Sequence, residues 1–356
     1  MPSPETRSAS PDSRTDRLLQ SVAMGNRAIL EMSFDLENAR FGRRAATEHP
    51  VENPVFVCGL ARAGTTIVLR ILHGTGEFAS LSYRDLPFPL APNSADRLFG
   101  RFRRGVAARE REHGDGLTHD LDSPEAIEEI FWRCFEGARF LRPDGLEPVP
   151  PSPETVEQFR RYMSLVLLRY GRRRYLSKNN ANILRLPALV ESAPTAILIH
   201  PFRDPLQHAA SLLNQHARAL ALHRSDPFRQ RFMAWLGHHE FGAGQRPFRL
   251  PGSPDSSRDP MTLDYWLAAW TSVHDFLLDQ PPGLRSRQHF IDYDAMCAAP
   301  APAVAALAAA AKIEVGPATG AVLRAPAPHP VDGADEALVA VAYSTLARLK
   351  ARAEGR

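Results

Sequence analysis

The sequence is poor in cysteine and lacks the common metal-binding motifs. Its three cysteines, Cys58, Cys134 and Cys297, are odd in number, lie far apart and form no C-x-x-C pair, so neither a disulfide framework nor a structural zinc site is indicated. No H-E-x-x-H motif occurs among the 13 histidines. The sequence therefore predicts no bound metal and a reducing compartment, which we take to be the cytoplasm.

Long apolar runs and a strong charge of one sign are also absent. No uninterrupted apolar stretch reaches the ~18 residues of a membrane span, and the formal net charge of +3 gives no field that would favour nucleic acid. We therefore expect neither a membrane span nor a nucleic-acid partner, and the sequence gives no sign of the oligomeric state.

The first residues lack the features of a folded element or of a signal peptide. Residues 1–16 are polar, rich in Ser and Pro, and have no apolar core, which predicts a disordered tail. We expect residues 17–356 to form a single α/β domain with an insertion at about residues 84–170, of which residues 84–120 are predicted to be irregular.

The rest of the chain has an ordinary globular composition, 44% apolar, in which strand patterns alternate with helix patterns. The predicted strands are residues 54–58, 174–178, 195–200 and 289–293. The predicted helices are residues 17–45, 65–73, 152–170, 182–191, 205–222, 262–278, 300–312 and 334–353, with a further helix start at residues 122–125. This alternation predicts a central parallel sheet with helices on both faces.

A loop suited to anions follows the first predicted strand. Residues 59–66 read Gly-Leu-Ala-Arg-Ala-Gly-Thr-Thr, and the two glycines let the backbone curl round an oxyanion at the start of a helix. A Walker A loop would carry Lys at the position of Thr65. The cation here is Arg62, whose guanidinium can hold a phosphate or sulfate with two hydrogen bonds.

This loop resembles the 5′-phosphosulfate loop of sulfotransferases that use 3′-phosphoadenosine 5′-phosphosulfate (PAPS). In that P-loop-like family a Lys or Arg of the loop contacts the bridging and sulfuryl oxygens, and Arg62 occupies its position here. In having Arg at this position the chain is similar to the protein-tyrosine and carbohydrate branch of the family. The resemblance implies donor contacts for the loop residues Gly59, Arg62, Ala63, Gly64, Thr65 and Thr66. The family often has Ser where this chain has Ala63, so one hydroxyl contact is missing. An ordinary strand–turn–helix is the alternative.

A second motif follows the third predicted strand. Arg203-Asp204-Pro205 is followed by Ser211, eight residues after Arg203. In the family this combination holds the 3′-phosphate of the donor, and the resemblance implies that Arg203 and Ser211 do so here. Asp204 and Pro205 also form a good helix start. The plainer alternative is a local Arg203–Asp204 ion pair.

The groups that would carry the chemistry are less sharply marked. Lys178 ends the second predicted strand, where many family members have a Lys, and we expect it to stabilise charge in the transition state; a surface Lys is the alternative. The acceptor needs a base. Asp85 is the first candidate, about where relatives have a Glu, with an ion pair to a neighbouring Arg as the alternative. His119 and Asp120 are the next candidates.

The sequence thus predicts a sulfotransferase that moves a sulfuryl group from PAPS to an unidentified hydroxyl or amine. A nucleotide kinase or NTPase is the rival enzyme class. Thr66 fits that class, and Asp292 is its candidate Walker B carboxylate, but position 65 lacks the Lys. A non-catalytic nucleotide-binding protein is a third interpretation, because no motif identifies the base.

Overall fold

The computed structural model describes residues 14–99, 109–110, 118–119, 126–254, 257–314, 323, 325 and 327–355. The strands in these ranges are β1 (Val55–Val57), β2 (Phe78–Ala79), β3 (Arg109–Glu110), β4 (Thr118–His119), β5 (Leu141–Arg142), β6 (Gly145–Leu146), β7 (Arg174–Lys178), β8 (Ile197–Phe202) and β9 (Gln288–Asp292).

Helices fill most of the remaining described chain. They are α1 (Arg14–Gly25), α2 (Arg27–Glu48), α3 (Thr65–His73), α4 (Pro92–Phe99), α5 (Glu129–Phe140), α6 (Pro153–Tyr170), α7 (Leu186–Ser192), α8 (Pro205–Ser225), α9 (Pro227–Leu236), α10 (Leu263–Leu278), α11 (Pro282–Arg285), α12 (Tyr293–Ala298), α13 (Pro300–Ala311) and α14 (Glu336–Ala353). Short 3-10 turns lie at Tyr83–Asp85, Asn180–Arg185 and Gly242–Gly244. Among the helices in these ranges, none has both the length and the apolar character needed to cross a bilayer.

A five-stranded parallel sheet with the order β2-β7-β1-β8-β9 forms the centre of the molecule. The predicted α/β fold with a parallel sheet is thereby confirmed. From β1 the chain runs to one side of the sheet to form β2 and β7, and then crosses to the other side to form β8 and β9. Such a switch point opens a crevice at the carboxyl ends of the central strands, where open α/β sheets bind ligands.

Both faces of the sheet are covered by apolar side chains. Along β1, Val55 and Val57 point into one buried cluster that includes residues of α3 and α13, whereas Phe56 points into a larger cluster on the other face. This two-residue alternation of fully buried side chains is what a strand between two layers of helices requires. The strand is thus fixed from both sides, and so is the position at which the 59–66 loop begins.

The structure differs from the sequence predictions in the first 100 residues. The helix predicted at residues 17–45 is two helices, because the side chain of Asn26 accepts the backbone N–H groups of Ala28 and Ile29 and starts α2 anew. Helix α1 begins at Arg14, so the last residues of the predicted tail are helical, and residues 1–13 lie outside the described ranges.

The prediction that residues 84–120 are irregular was wrong at α4, which is a helix. This helix begins with its N–H groups bonded to a carboxylate of another helix: Glu37 accepts from the backbone N–H groups of Asn93 (2.7 Å) and Ser94 (3.1 Å). A cap supplied by a residue 56 positions away leaves no local pattern. The helix start predicted at residues 122–125 lies outside the described residues, while β2 and α9 form without having been predicted.

Candidate active site

The 59–66 loop connects β1 to α3 at the switch point. Its backbone turns through positive φ angles at Arg62 (69°) and Gly64 (87°), and Gly64 is the N-cap of α3. The Tyr293 ring lies against Gly64 so closely that a Cβ there would overlap it. Glycine is therefore required at position 64 by both conformation and space. The loop places the first N–H groups of α3 at the crevice, as oxyanion binding requires.

The structure brings the predicted anion-binding side chains together. The guanidinium of Arg203 donates from Nη1 to the backbone carbonyl of Arg62 (3.2 Å) and from Nε to Oδ1 of Asp294 (3.3 Å). Arg62 in turn donates from Nε to Oγ of Ser211 (3.4 Å). Arg62, Arg203 and Ser211 thus form one cluster, although they come from the loop, the end of β8 and helix α8.

Asp204 and Asp294 hold the end of β8 and the start of α8. Oδ1 of Asp204 accepts the N–H of Gln207 (2.9 Å), and the hydroxyl of Tyr343 donates to Oδ2 of Asp204 (2.9 Å). The backbone N–H of Asp204 donates to Asp294 (2.7 Å). Arg203 forms its ion pair with Asp294 and not with Asp204, the partner in the plainer alternative. These contacts fix Arg203 at the crevice.

Two histidines show how concentrated the positive charge is in this cluster. His208 is fully buried and donates from Nε2 to the carbonyl of Ala61 (2.8 Å). Burial lowers its pKa well below the usual range, and the charges of Arg203 and Arg62 lower it further. The pKa of His329 is likewise lowered by burial and then by Arg203, Arg62 and Arg218. The charge and the hydrogen-bond donors of this cluster suit an anionic ligand with more than one oxyanion.

The other loop residues predicted to contact the donor line the same turn. Gly59, Ala63 and Thr65 are buried, while Gly64 and Thr66 are partly exposed. The side chains of Ala63 and Thr65 are thus packed against the protein.

Lys178 lies at the end of β7, next to the start of the loop. The sheet register pairs it with Val57, and the backbone N–H of the following residue, Asn179, donates to the Val57 carbonyl (3.0 Å). The Lys178 side chain is partly buried, and its charge acts on Glu240, whose pKa it lowers. The predicted position of Lys178 beside the loop agrees with the structure, and its role stays a prediction.

A buried polar network supports this end of β7. Glu129 accepts two hydrogen bonds from Arg185 (2.6 and 3.0 Å) and one from Nδ2 of Asn179 (2.7 Å). Glu128 accepts from Nδ2 of Asn182 (2.8 Å) and lies next to Asn179 as well. The network explains why asparagines follow Lys178, because their amides can satisfy two buried carboxylates.

Asp85 occupies a structural position in its turn. Its Oδ2 accepts the backbone N–H of Ser82 (2.8 Å) and the hydroxyl of Tyr170 (2.7 Å), and the residue is 2% exposed. Ser82 and Asp85 together form a capping box. These bonds favour a structural role for Asp85. Of the other predicted bases, His119 lies in β4, and Asp120 lies outside the described residues.

Sequence reasoning missed Glu240, which lies in the loop after α9. Asn180 donates from Nδ2 to its Oε1 (2.8 Å). Burial raises the pKa of Glu240, but electrostatic interaction with His238 and Lys178 together with the Asn180 hydrogen bond outweighs burial and lowers it. No motif contains this residue. The only sequence signal is the polar string His238-His239-Glu240 before a glycine-rich segment.

Glu240 borders a cavity beside the 59–66 loop, called here the Glu240 cavity. Its enclosed volume is about 40 Å³, and the space that includes the solvent at its open mouth is about 600 Å³. Its walls are Leu60, Ala61, Leu146, Asn179, Ala181, Leu212, Gly237, His238, Glu240, Phe241, Gln245, Arg246, Pro247, Phe248, Tyr265, Trp266 and Ala269. The cavity is thus walled by two residues of the loop, by the end of β7 and by α8 and α10.

The model of the sulfotransferase family matches residues 54–241, which is 188 of the 356 residues. The chain belongs to the sulfotransferase family. The match begins just before β1 and ends just after Glu240, so it includes Arg62, Lys178, Arg203 and Ser211. Family membership makes the chain a transferase. No curated protein sequence matches the chain.

Several solved sulfotransferases are similar to the chain in structure. Sulfotransferase STF1 of Mycobacterium tuberculosis H37Rv is 13% identical with a TM-score of 0.48, covering 94% of this chain and 85% of that one. Sulfotransferase STF9 of Mycobacterium avium is 18% identical with a TM-score of 0.48, covering 88% and 76%. A sulfotransferase of Alicyclobacillus acidocaldarius is 15% identical with a TM-score of 0.37, covering 85% and 96%. At these values the matches indicate no common substrate.

Proposed function

We propose that this sulfotransferase takes its sulfuryl group from PAPS and transfers it to a hydroxyl or amine acceptor. The observation that carries the proposal is the meeting of Arg62, Arg203 and Ser211 at the 59–66 loop. PAPS has a 3′-phosphate and a 5′-phosphosulfate, so a binding site for it needs cations and N–H donors at two places. The loop with α3 is one such place, and Arg203 with Ser211, which both contact Arg62, is the other.

Each group has a role that follows from its position. Arg203 and Ser211 would hold the 3′-phosphate, and the loop N–H groups with Thr65 and Thr66 would hold the 5′-phosphosulfate. Arg62 would neutralise the charge that develops as the bond between sulfur and the bridging oxygen breaks. Such stabilisation by fixed donors is the largest contribution in many group transfers.

Lys178 is proposed to work on the opposite side of the reacting group. Its strand end adjoins the loop through the β1–β7 register, and the Glu129–Arg185 network fixes the residues that follow it. With Arg62 it would supply the positive charge for the transfer, so that no metal is required. We also propose that residues 17–356 act as one domain and that the enzyme works in the cytoplasm.

The proposal is tested by comparing ligands and then by following transfer. Adenosine 3′,5′-bisphosphate, the product of the donor, should raise the melting temperature of the protein clearly more than ATP at equal concentration, because binding to the native state stabilises it. Sulfate labelled in PAPS should then pass to members of an acceptor panel. Equal or greater stabilisation by ATP would favour the kinase class, and bisphosphate binding without transfer to any acceptor would favour a non-catalytic protein.

Replacing Arg203 by Ala should weaken binding of adenosine 3′,5′-bisphosphate. The expected loss is ~1.5–3 kcal/mol, as for loss of a charged hydrogen bond, measured by isothermal titration calorimetry. Arg348→Ala is the matched control, because Arg348 also pairs with aspartates but on the surface, through Asp275 and Asp279. An Arg203→Ala protein that stays folded and binds the bisphosphate as tightly as the control contradicts the assignment.

A further inference from the structure

The Glu240 cavity begins where the proposed donor site ends. Leu60 and Ala61 of the 59–66 loop form part of its wall, and so do Leu212, the neighbour of Ser211, and Asn179, the neighbour of Lys178. The cavity therefore adjoins each of the three elements assigned to the donor. A molecule bound in it lies beside the loop that would hold the phosphosulfate.

The wall of the cavity is chiefly apolar and aromatic. Its aromatic members come from the loop after α9 and from α10: Phe241, Phe248, Tyr265 and Trp266. The polar side chains among them are already bonded within the protein. Gln245 donates from Nε2 to the hydroxyl of Tyr265 (2.7 Å), and Arg246 donates from Nη1 to the carbonyl of Arg142 (2.8 Å). Such a wall favours a ligand with an apolar body.

Glu240 gives this wall one carboxylate whose position is fixed. Asn180 holds its Oε1 at 2.8 Å, and Asn180 belongs to the turn that directly follows Lys178. The titratable groups that act on Glu240 are His238, His239 and Lys178, and His238 is held by the Ala126 carbonyl (2.7 Å). The Glu240 carboxylate is ionised at neutral pH and can accept a proton. Its lowered pKa makes it a weaker base than an ordinary Glu, so its fixed position beside the cavity is what favours it as the proton acceptor.

We propose that the Glu240 cavity binds the acceptor, that the acceptor is a hydroxyl compound with an apolar body, and that Glu240 takes the hydroxyl proton. This inference rests on the proposed function. The acceptor oxygen forms a bond to the sulfur, and the bond from sulfur to the bridging oxygen of PAPS breaks. The electron pair of that bond stays on the 5′-phosphate, which leaves as part of adenosine 3′,5′-bisphosphate. The proton passes to the Glu240 carboxylate, and the product is the sulfate ester.

The composition of the cavity wall favours such a hydroxyl compound over an amine or a sugar. An alkylamine is protonated at neutral pH and would form an ion pair with the Glu240 carboxylate, and in that state it has no lone pair to attack the sulfur; a hydroxyl enters the cavity neutral. A sugar would bring several hydroxyl groups into a wall that is mostly apolar, and each of them would need a hydrogen-bond partner there. One hydroxyl on an apolar body leaves a single polar group to satisfy, and Glu240 can satisfy it.

The binding part of the proposal is tested with 2-naphthol as the hydroxyl probe and glucose as the polar comparison. Ala269 faces the cavity from α10, and Ala269→Phe should fill part of it. We expect the KM for 2-naphthol to rise at least tenfold while adenosine 3′,5′-bisphosphate binds as before. Ala221→Phe, an exposed position of α8, is the control. An unchanged KM for 2-naphthol, or faster transfer to glucose than to 2-naphthol, overturns the proposal.

The proton acceptor is tested with Glu240→Gln, which keeps the shape and can still accept from Asn180. With 2-naphthol, kcat/KM should fall by about 10²- to 10⁴-fold, the range for loss of a general base. The fall in wild-type activity at acid pH should also disappear from the pH profile. Glu157→Gln, on the exposed face of α6, should match wild type. A Glu240→Gln enzyme that keeps the acid limb, or full activity, overturns the assignment.

Failure of this inference can be told apart from failure of the proposed function. If the bisphosphate does not stabilise the wild-type protein and no sulfate leaves PAPS, the proposed function is wrong. If the bisphosphate binds and transfer occurs, but the Ala269→Phe and Glu240→Gln enzymes behave like their controls, only the acceptor site is wrong.

Discussion

Replacing Arg62 by Ala is expected to slow sulfuryl transfer by about 10²- to 10³-fold, as for loss of one preorganised donor in an oxyanion site. The affinity for adenosine 3′,5′-bisphosphate should fall much less. The bisphosphate lacks the sulfuryl group, so loss of an interaction made mainly in the transition state should have little effect on its affinity. Single-turnover transfer of labelled sulfate and calorimetric titration of the bisphosphate measure the two quantities.

The geometry of Arg62 sets the controls for this experiment. Its φ of 69° is unfavourable for Arg and Ala alike, so the substitution adds little backbone strain, and its carbonyl still accepts from Arg203. Arg62→Lys keeps the charge but loses the two-pronged donor, and should recover part of the rate. Arg161→Ala, in an exposed helical pair with Glu157, should leave both quantities unchanged. Equal losses in rate and in bisphosphate affinity would count against a transition-state role.

Replacing Glu129 by Gln is expected to destabilise the folded protein by about 3–5 kcal/mol, the cost of breaking a buried ion pair on one side. The side chains of Glu129 and Arg185 are each 3% exposed, and two hydrogen bonds join them. The Arg185 guanidinium also lies near the rings of Trp132 (4.9 Å) and Phe140 (4.8 Å). Without the Glu129 carboxylate, the buried positive charge of Arg185 loses the negative charge that pairs with it. The free energy of unfolding in urea measures the effect.

Two further proteins make this result specific. Glu31→Gln removes half of an exposed helical pair with Arg27, and should change stability by less than ~1 kcal/mol. The double change Glu129→Met with Arg185→Met removes both charges, and should be less destabilising than Glu129→Gln alone. A Glu129→Gln protein as stable as wild type would show that water or rearrangement compensates Arg185. Because Glu129 also holds Asn179, the single change should disturb the Lys178 strand end.

The parts of the site that the sequence predicted are those with short-range signals. Strand β1 is a run of apolar residues that ends in glycine, and α3 begins where the 59–66 loop ends. The start of α8 at Asp204 and Pro205 is equally local, since the cap bonds a residue three positions away. The family resemblance then named Arg62, Arg203 and Ser211, and the structure brings these three side chains together.

Short-range sequence signals could not decide the role of Asp85. Its distance along the chain from Arg62 fitted a base, but the carboxylate caps its own turn and bonds the hydroxyl of Tyr170 from α6. Helix α4 was missed for a similar reason, because its cap is Glu37 of α2. In both cases the deciding partner is distant in sequence and becomes a neighbour only through packing.

By itself the sequence determined the alternating strands and helices, the anion-binding loop and the two motifs that point to a sulfotransferase. Only the tertiary structure decided that Glu240 accepts a hydrogen bond from Asn180, 60 positions earlier in the chain, and that aromatic side chains of the loop after α9 and of α10 line one cavity next to the 59–66 loop. The physical reason is that backbone conformation and capping depend on neighbours in sequence. A cavity and the ionisation of the carboxylate in it depend on which distant surfaces the buried core brings together.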